Sequence, residues 1–236
     1  MDKGELRERV WDDLEESGEA RFPFPPHGRI PNFAGPKAAA ERLTELDAWR
    51  DADAVKANPD SPQRPVRKRA LAAGKTVYVA VPRLADEQPF LELDPERIDD
   101  YDEATTISGA ADLGVQVAPD EMPDVDLIVS GSVAVDDRGA RVGKGEGYSD
   151  LEFALLREVG LVDDGTTVVT TVHELQVADE TLPRDAHDVP LDYVVTPERT
   201  VETATAYDRP TGVDWDALDE EKIAEIPILT KRDKYY

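Results

Sequence analysis

Cysteine is absent from the 236-residue chain, which excludes disulfides, thiolate metal sites and a cysteine nucleophile. Aromatic residues are scarce, at 6%. Apolar runs are short, and none reaches the about 18 residues that a membrane-spanning helix needs. The opening residues are charged and lack the apolar core of a secretory signal, so the expected address is the cytoplasm. Positive charge is also in short supply: Lys and Arg number 27 against 52 Asp and Glu, a net charge of −25. Phosphate backbones are gripped by clustered basic side chains, so this balance disfavours nucleic acid as a partner.

What is present points to a folded domain. The apolar share is 40%, held in short blocks, and the length suffices for a well-buried core. Asp and Glu recur throughout and are not gathered in a tail, and arginine outnumbers lysine. Dispersed acidity of this size fits a protein working in a salt-loaded cytoplasm, where screening weakens self-repulsion. The basic run from Arg64 to Lys75 is the one cluster that could attract an anion, and a solvated helix face accounts for it.

Leu6, Val10 and Leu14 recur at helical spacing, predicting a helix over residues 3–16. Pro23, Pro25, Pro26 and Gly28 enforce a loop. A helix is expected from Pro36 to Leu46, a turn or short helix over Asp47–Asp53, and a strand from Val55. A basic helix over Pro65–Ala73 stops at Gly74, and the strand Lys75–Pro82 follows. Ile107–Gly109 reads as extended, and Asp112–Val117 has no firm assignment. Strands at Leu127–Ser130, Thr166–Val172 and Leu191–Thr196, with a helix at Leu151–Val159, complete an α/β pattern. The expected fold is α/β, with a mostly parallel central sheet flanked by helices on both faces. One domain is expected over residues 1–200. Residues 201–236 read as an acidic extension with a helix near Asp216–Ile223.

Residues 141–150 are the most informative stretch. Gly143, Gly145 and Gly147 alternate between Arg141 and Lys144 and are closed by Tyr148 and Asp150. Such a loop presents bare backbone N–H groups to phosphate oxygens, and the following helix adds its dipole there. Asp150 suits a hard cation such as Mg²⁺, or equally an N-cap for a helix starting at Leu151. Arg7 is placed to lie over Trp11, and His187-Asp188 reads as a turn-stabilising pair rather than a proton relay.

Several separated segments together resemble the 5-formyltetrahydrofolate cyclo-ligase (methenyltetrahydrofolate synthetase) family. They are Lys3-x-x-Leu6-Arg7; Arg67 to Arg83 with Gly74-Lys75 and Val81-Pro82-Arg83; Asp126 to Asp136 followed by Arg141-x-Gly-x-Gly-x-Gly-Tyr-x-Asp150; and Leu182-Pro-x-x-x-His187-Asp188-Val-Pro-x-Asp192 with Thr196. The segments Ile30-Pro-Asn-Phe-x-Gly and Val55-Lys-x-Asn-Pro-Asp resemble the branch named methenyltetrahydrofolate synthetase domain-containing proteins. Animal members of that branch can carry an RNA-recognition domain, whose aromatic signature is missing here.

The resemblance implies a Rossmann-like cyclo-ligase fold and ATP-dependent closure of 5-formyltetrahydrofolate, or a related formyl-pterin, to the 5,10-methenyl form. It implies ATP and Mg²⁺ as cofactors and a folate or pterin as partner. Lys3, Arg7, Arg141, Lys144, Tyr148 and the three loop glycines are then expected at the nucleotide, and Asp150 at Mg²⁺. Asp60, Pro82 and Arg83 are expected at the substrate, with Lys144, Tyr148 and Asp60 nearest the chemistry. Four residues depart from the family pattern: Asp60 stands for glutamate, Gln63 for a nearby threonine, Glu146 sits within the loop, and Ser149 replaces a second tyrosine. The alternative is a nucleotide- or pterin-binding relative without turnover.

Overall fold

The computed structural model describes residues 1–204 and 207–232. Helix α1 (Lys3–Glu16) opens on a capping box, in which Asp2 accepts from the Glu5 amide and Glu5 reaches back to Asp2. It buries Leu6, Val10, Trp11 and Leu14, the predicted stripe plus one tryptophan. A short ribbon of β1 (Ala20–Arg21) and β2 (Asn32–Phe33) leads to α2 (Pro36–Leu43) and α3 (Asp47–Asp51). The alternating segment is β3 (Ala54–Ala57), α4 (Arg64–Ala72), β4 (Thr76–Ala80), β5 (Phe90–Leu93), α5 (Tyr101–Ala104), α6 (Ile107–Leu113), β6 (Val115–Val117) and β7 (Leu127–Ser130). The hairpin β8 (Ala134–Asp136) and β9 (Arg141–Val142) feeds the glycine loop and α7 (Tyr148–Glu158). Then come β10 (Thr167–Thr171), β11 (Val177–Ala178), β12 (Tyr193–Val195), β13 (Thr200–Glu202), α8 (Glu220–Glu225) and α9 (Pro227–Arg232).

The main sheet has the order β13-β12-β10-β7-β3-β4-β5-β6. Its five middle strands are parallel, and β13 and β5 join antiparallel at either side. Successive side chains of a strand face opposite ways, so both faces must be covered. Leu127 and Val129 of β7 pack with Val66 and Leu71 of α4, whereas Ile128 packs with Leu151 and Leu155 of α7. The expected α/β fold is therefore present, with β3 and β7 adjacent at the centre. From β3 the chain first moves out to β4, then returns to β7 and continues the other way. That reversal opens a crevice beyond the carboxyl ends of β3 and β7.

Three readings need correction. Ile107–Gly109 is not extended but starts α6, whose N-cap Thr106 accepts from the Gly109 amide at 2.9 Å. Gly109 lies so close to the preceding turn that a Cβ would stand 2.0 Å from the Glu103 carbonyl oxygen, so glycine there serves packing and not a break. Helix α2 stops at Leu43 rather than Leu46. Helix α7 starts at Tyr148, three residues before the expected Leu151, so its N-cap is Gly147 and Asp150 sits inside the first turn.

Residues beyond β13 pack back on α7: Val213, Ile226, Ile228 and Leu229 are buried in the same core as Leu155 and Leu156. Positions 205, 206 and 233–236 of the expected extension lie outside the described residues. No helix among the described residues is long and apolar enough to cross a membrane.

Candidate functional site

A cleft of about 270 Å³ lies beyond the carboxyl ends of β3, β4 and β7. Asn58, Pro59 and Asp60 line one wall, Pro82 and Arg83 another, and Gly131 the floor between them. The glycine loop and the first turn of α7 close the third side. An apolar annexe of about 210 Å³, walled by Val79, Leu91, Ile107 and Ala110, continues from it past Pro59 and Pro82. A larger hollow of about 470 Å³ sits at the opposite ends of the strands, walled by Asp51, Asp124, Asp126 and Asp163. That wall repels anions and includes no expected site residue.

The loop is built to turn its carbonyls outward. Arg7 Nε donates to the Gly143 carbonyl at 2.7 Å, and Lys222 Nζ donates to the Glu146 carbonyl at 3.0 Å. Among the described residues, none of the N–H groups of Lys144, Gly145, Glu146 and Gly147 donates to a protein acceptor. Gly145 (φ 109°) and Gly147 (φ 73°) take backbone conformations that a Cβ resists, and a Cβ on Gly145 would press on the Arg7 guanidinium. Free amides at the N-terminus of an 11-residue helix are the arrangement that suits an anion. Lys144 adds an ammonium, although it also pairs with Glu146 at 2.7 Å.

Arg141 and Asp150, expected at phosphate and metal, pair with each other. Arg141 Nη2 lies 2.6 and 2.7 Å from the two Asp150 oxygens, and its Nη1 donates to the Gly131 carbonyl at 2.8 Å. Burial works against the charge on Arg141, but the Asp150 carboxylate overrides it and holds the guanidinium above its ordinary pKa. Asp150 Oδ1 also accepts from the Val189 amide at 3.0 Å. A carboxylate offers about four acceptor positions, so one remains on Oδ2 for a cation or its water.

Beneath the loop runs a polar network that sequence reasoning missed. Lys56 of β3 and Glu152 of α7, 1% and 4% exposed, form an ion pair. Asn58 donates to the same Glu152 oxygen at 3.2 Å. Its side-chain Oδ1 accepts from the Gly131 amide at 2.8 Å and the Ser149 hydroxyl at 3.1 Å. Ser149, where the family pattern has a second tyrosine, thus ties α7 to β3. The available signal was Lys56 itself, since a lysine inside a fully buried parallel strand requires a partner.

Arg67 fixes the wall that carries Asp60. Its guanidinium donates to the carbonyls of Asn58, Pro59 (2.9 Å), Asp60 (3.1 Å) and Thr105 (2.8 Å). Burial pulls its pKa down to about 10, with Asp60 acting in the opposite sense. Burial likewise pushes the Asp60 carboxyl above its ordinary value, against the pull of Lys144 and Arg67. Arg83 is exposed at the rim in a left-handed conformation (φ 59°), beside exposed Pro82.

Lys3 stands apart from the cleft lining. Its ammonium bridges Asp185 (2.8 Å) and Asp188 (2.5 Å), where His187 also lies. This clamps α1 to the 182–192 loop. Of the residues expected at the nucleotide and substrate, the structure gathers Arg141, Gly143, Lys144, Gly147, Tyr148, Asp150, Asp60, Pro82 and Arg83 around one cleft. Arg7 and Gly145 meet on the outer side of the loop.

The fold and cleft define a doubly wound α/β protein with a row of unpaired amides at its switch point. The family model described as the 5-formyltetrahydrofolate cyclo-ligase family matches residues 2–197. The chain belongs to that family. The mouse protein named methenyltetrahydrofolate synthase domain-containing protein is 43% identical over 234 residues, covering 97% of this chain and 62% of its own. Its human counterpart of the same name is 38% identical over 235 residues, covering 97% and 61%. The chain therefore spans about three fifths of the length of these relatives. The solved structure of Aquifex aeolicus 5,10-methenyltetrahydrofolate synthetase is similar in fold, with a TM-score of 0.52 at 21% identity, covering 92% of this chain and all of that one.

Proposed function

We propose that the chain is an ATP- and Mg²⁺-dependent cyclo-ligase that converts 5-formyltetrahydrofolate, or a related formyl-pterin, to the 5,10-methenyl form. The observation that carries this reading is the row of unpaired amides from Lys144 to Gly147, set across the cleft from Asp60. In this reaction the γ-phosphoryl group of ATP passes to the formyl oxygen. Folate N10 then attacks the formyl carbon, and the C–O bond breaks to release phosphate. ADP is the other product.

Phosphoryl transfer of this kind depends on positioning and on neutralising charge. The amides of the glycine loop and the Lys144 ammonium bind the triphosphate. The α7 dipole acts on the same side. Asp60 faces the pterin, and the apolar annexe beside Pro82 and Ile107 excludes water from an aromatic portion of the substrate. Mg²⁺ would supply charge neutralisation at the phosphates and would be held by the remaining acceptor position of Asp150, while Arg141 orients that carboxylate. The net charge of −25 supports a salt-rich cytoplasm as the protein's working place.

The test is direct: purified chain in high potassium chloride receives ATP, Mg²⁺ and 5-formyltetrahydrofolate, and absorbance of the methenyl product is followed. The expected result is product formation that requires all three. A second reading, binding without turnover, is favoured by the Lys144–Glu146 pair, which sets a carboxylate beside the cradle. Calorimetry separates the two, since that reading requires heat of ATP binding with no phosphate released.

A further inference from the structure

The segment after β13 is anchored to α7 and to the sheet beside it at several points. The Val213 amide donates to the Glu158 carboxylate at 2.9 Å, Arg209 bonds the Thr166 carbonyl and Asp192, and Ile226 and Leu229 enter the core. Asp219 caps α8, accepting from the Lys222 amide at 2.7 Å. This anchoring delivers the Lys222 side chain over the glycine loop. Its ammonium lies 3.5 Å from the centre of the Tyr148 ring and 3.0 Å from the Glu146 carbonyl oxygen. Cation–π attraction and a charge-assisted hydrogen bond thus act on neighbouring loop residues from one atom.

A trans peptide is planar, with its C=O and N–H on opposite sides. Holding the Glu146 carbonyl on Lys222 therefore fixes the direction of the Gly147 N–H. Arg7 does the same for the Gly143 carbonyl and hence the Lys144 N–H. Two cations from remote elements, α1 and α8, thus set two amides of the cradle from outside. Lys222 also brings positive charge to the stretch where Glu146 has introduced a negative one.

We propose that Lys222 is a positioning residue of the nucleotide site, so that the C-terminal segment is a working part of the phosphate cradle. The proposal rests on the cyclo-ligase reading for the identity of the anion, though not for the loop contact itself. Lys222 grips the loop from behind, and the triphosphate is bound by the amides it orients. Phosphate affinity is the property it sets, while the pterin side of the cleft is independent of it.

The experiment uses the full chain, as wild type, Lys222→Met and Lys222→Arg. Methionine keeps the aliphatic stem without the charge. Two readouts are taken: backbone 15N order parameters of residues 143–150 without ligand, and the affinity and KM for Mg-ATP. In Lys222→Met, order parameters are expected to fall in 143–150 but not in the core strands. KM for ATP is expected to rise about tenfold, with kcat and the KM for 5-formyltetrahydrofolate within twofold of wild type. Lys222→Arg is expected to restore most of both losses. Unchanged order parameters and unchanged ATP affinity in Lys222→Met overturn the proposal, as does a fall in order spread over the whole chain. A wild-type chain that binds no nucleotide overturns the cyclo-ligase reading and the nucleotide role together. The local order parameters of Lys222→Met then still decide whether Lys222 holds the loop.

Discussion

Arg141 and Asp150 flank the glycine loop and close it like a clasp, one guanidinium nitrogen lying 2.6 and 2.7 Å from the two carboxylate oxygens. The loop leaves β9 and returns to α7 at a fixed span, so its amides are held ready before any anion arrives. Both residues read from the sequence as ligand contacts, and the geometry makes one of them the orienter of the other.

Arginine meets the Gly131 carbonyl with Nη1 and Asp150 with Nη2, and the single nitrogen of lysine cannot occupy both of those positions. Arg141→Lys is expected to lower stability by about 2 kcal/mol, a figure in the range for a lost charged hydrogen bond. Nucleotide affinity is expected to fall at least tenfold. Urea unfolding and ATP calorimetry check the two effects separately.

Removing Lys56 alone strands the Glu152 carboxylate inside the protein. Lys56→Met is expected to cost about 3–5 kcal/mol, as breaking a buried pair from one side generally does. The double change Lys56→Met, Glu152→Leu is expected to recover most of that loss while leaving Asn58 tied to α7 through Ser149 alone. Denaturant unfolding of the two single variants and the double variant measures it.

Asp60 gives a pH signature with a definite sign. Its folded pKa lies above the ordinary carboxylate value of 3.8, because burial penalises the charge. The folded chain therefore holds that proton more tightly than the unfolded one. The group costs nothing below its unfolded pKa, and its cost grows as pH rises through the folded pKa. Asp60→Asn is thus expected to melt higher than wild type at pH 7, with the advantage shrinking as pH falls toward the ordinary value. Melting curves across that range test it.

Gly145 tolerates no side chain cheaply, given φ of 109° and the Arg7 guanidinium 3.3 Å from a would-be Cβ. Gly145→Ala is expected to cost more than about 1 kcal/mol, as alanine does where φ is positive. It should weaken ATP binding well beyond that stability loss, because the cradle itself is bent. A variant that binds ATP like wild type speaks against the cradle.

The excess of acid predicts a response to salt. The screening length falls from about 8 Å at 0.15 M to about 3 Å at 1 M. Repulsion among exposed carboxylates should fall with it, and the melting temperature is expected to climb through molar potassium chloride. A flat or falling profile argues against a salt-rich setting.

Local signals were legible and distant pairings were not. The stripe of Leu6, Val10 and Leu14, the β-branched run Thr167–Thr171 and the alternating glycines each express their structure within a few residues. Lys56 and Glu152 are 96 residues apart, and no periodicity links them. Strands such as β9 and β11 have two residues each, too short to show alternation. The α6 start was read as extended, and the reason glycine suits it is a close approach to the Glu103 carbonyl, which no local pattern displays. Asp150 was legible as important, but its partner depended on where β9 comes to rest against α7.

Arg67 is unusual in meeting four carbonyls, Asn58, Pro59, Asp60 and Thr105, as hydrogen-bond acceptors. A grip on neutral oxygens has no carboxylate to protonate in acid, and in the interior dissolved ions hardly reach it. The wall of the crevice that carries Asp60 should accordingly keep its shape when brine is diluted, even while the acidic exterior loosens around it.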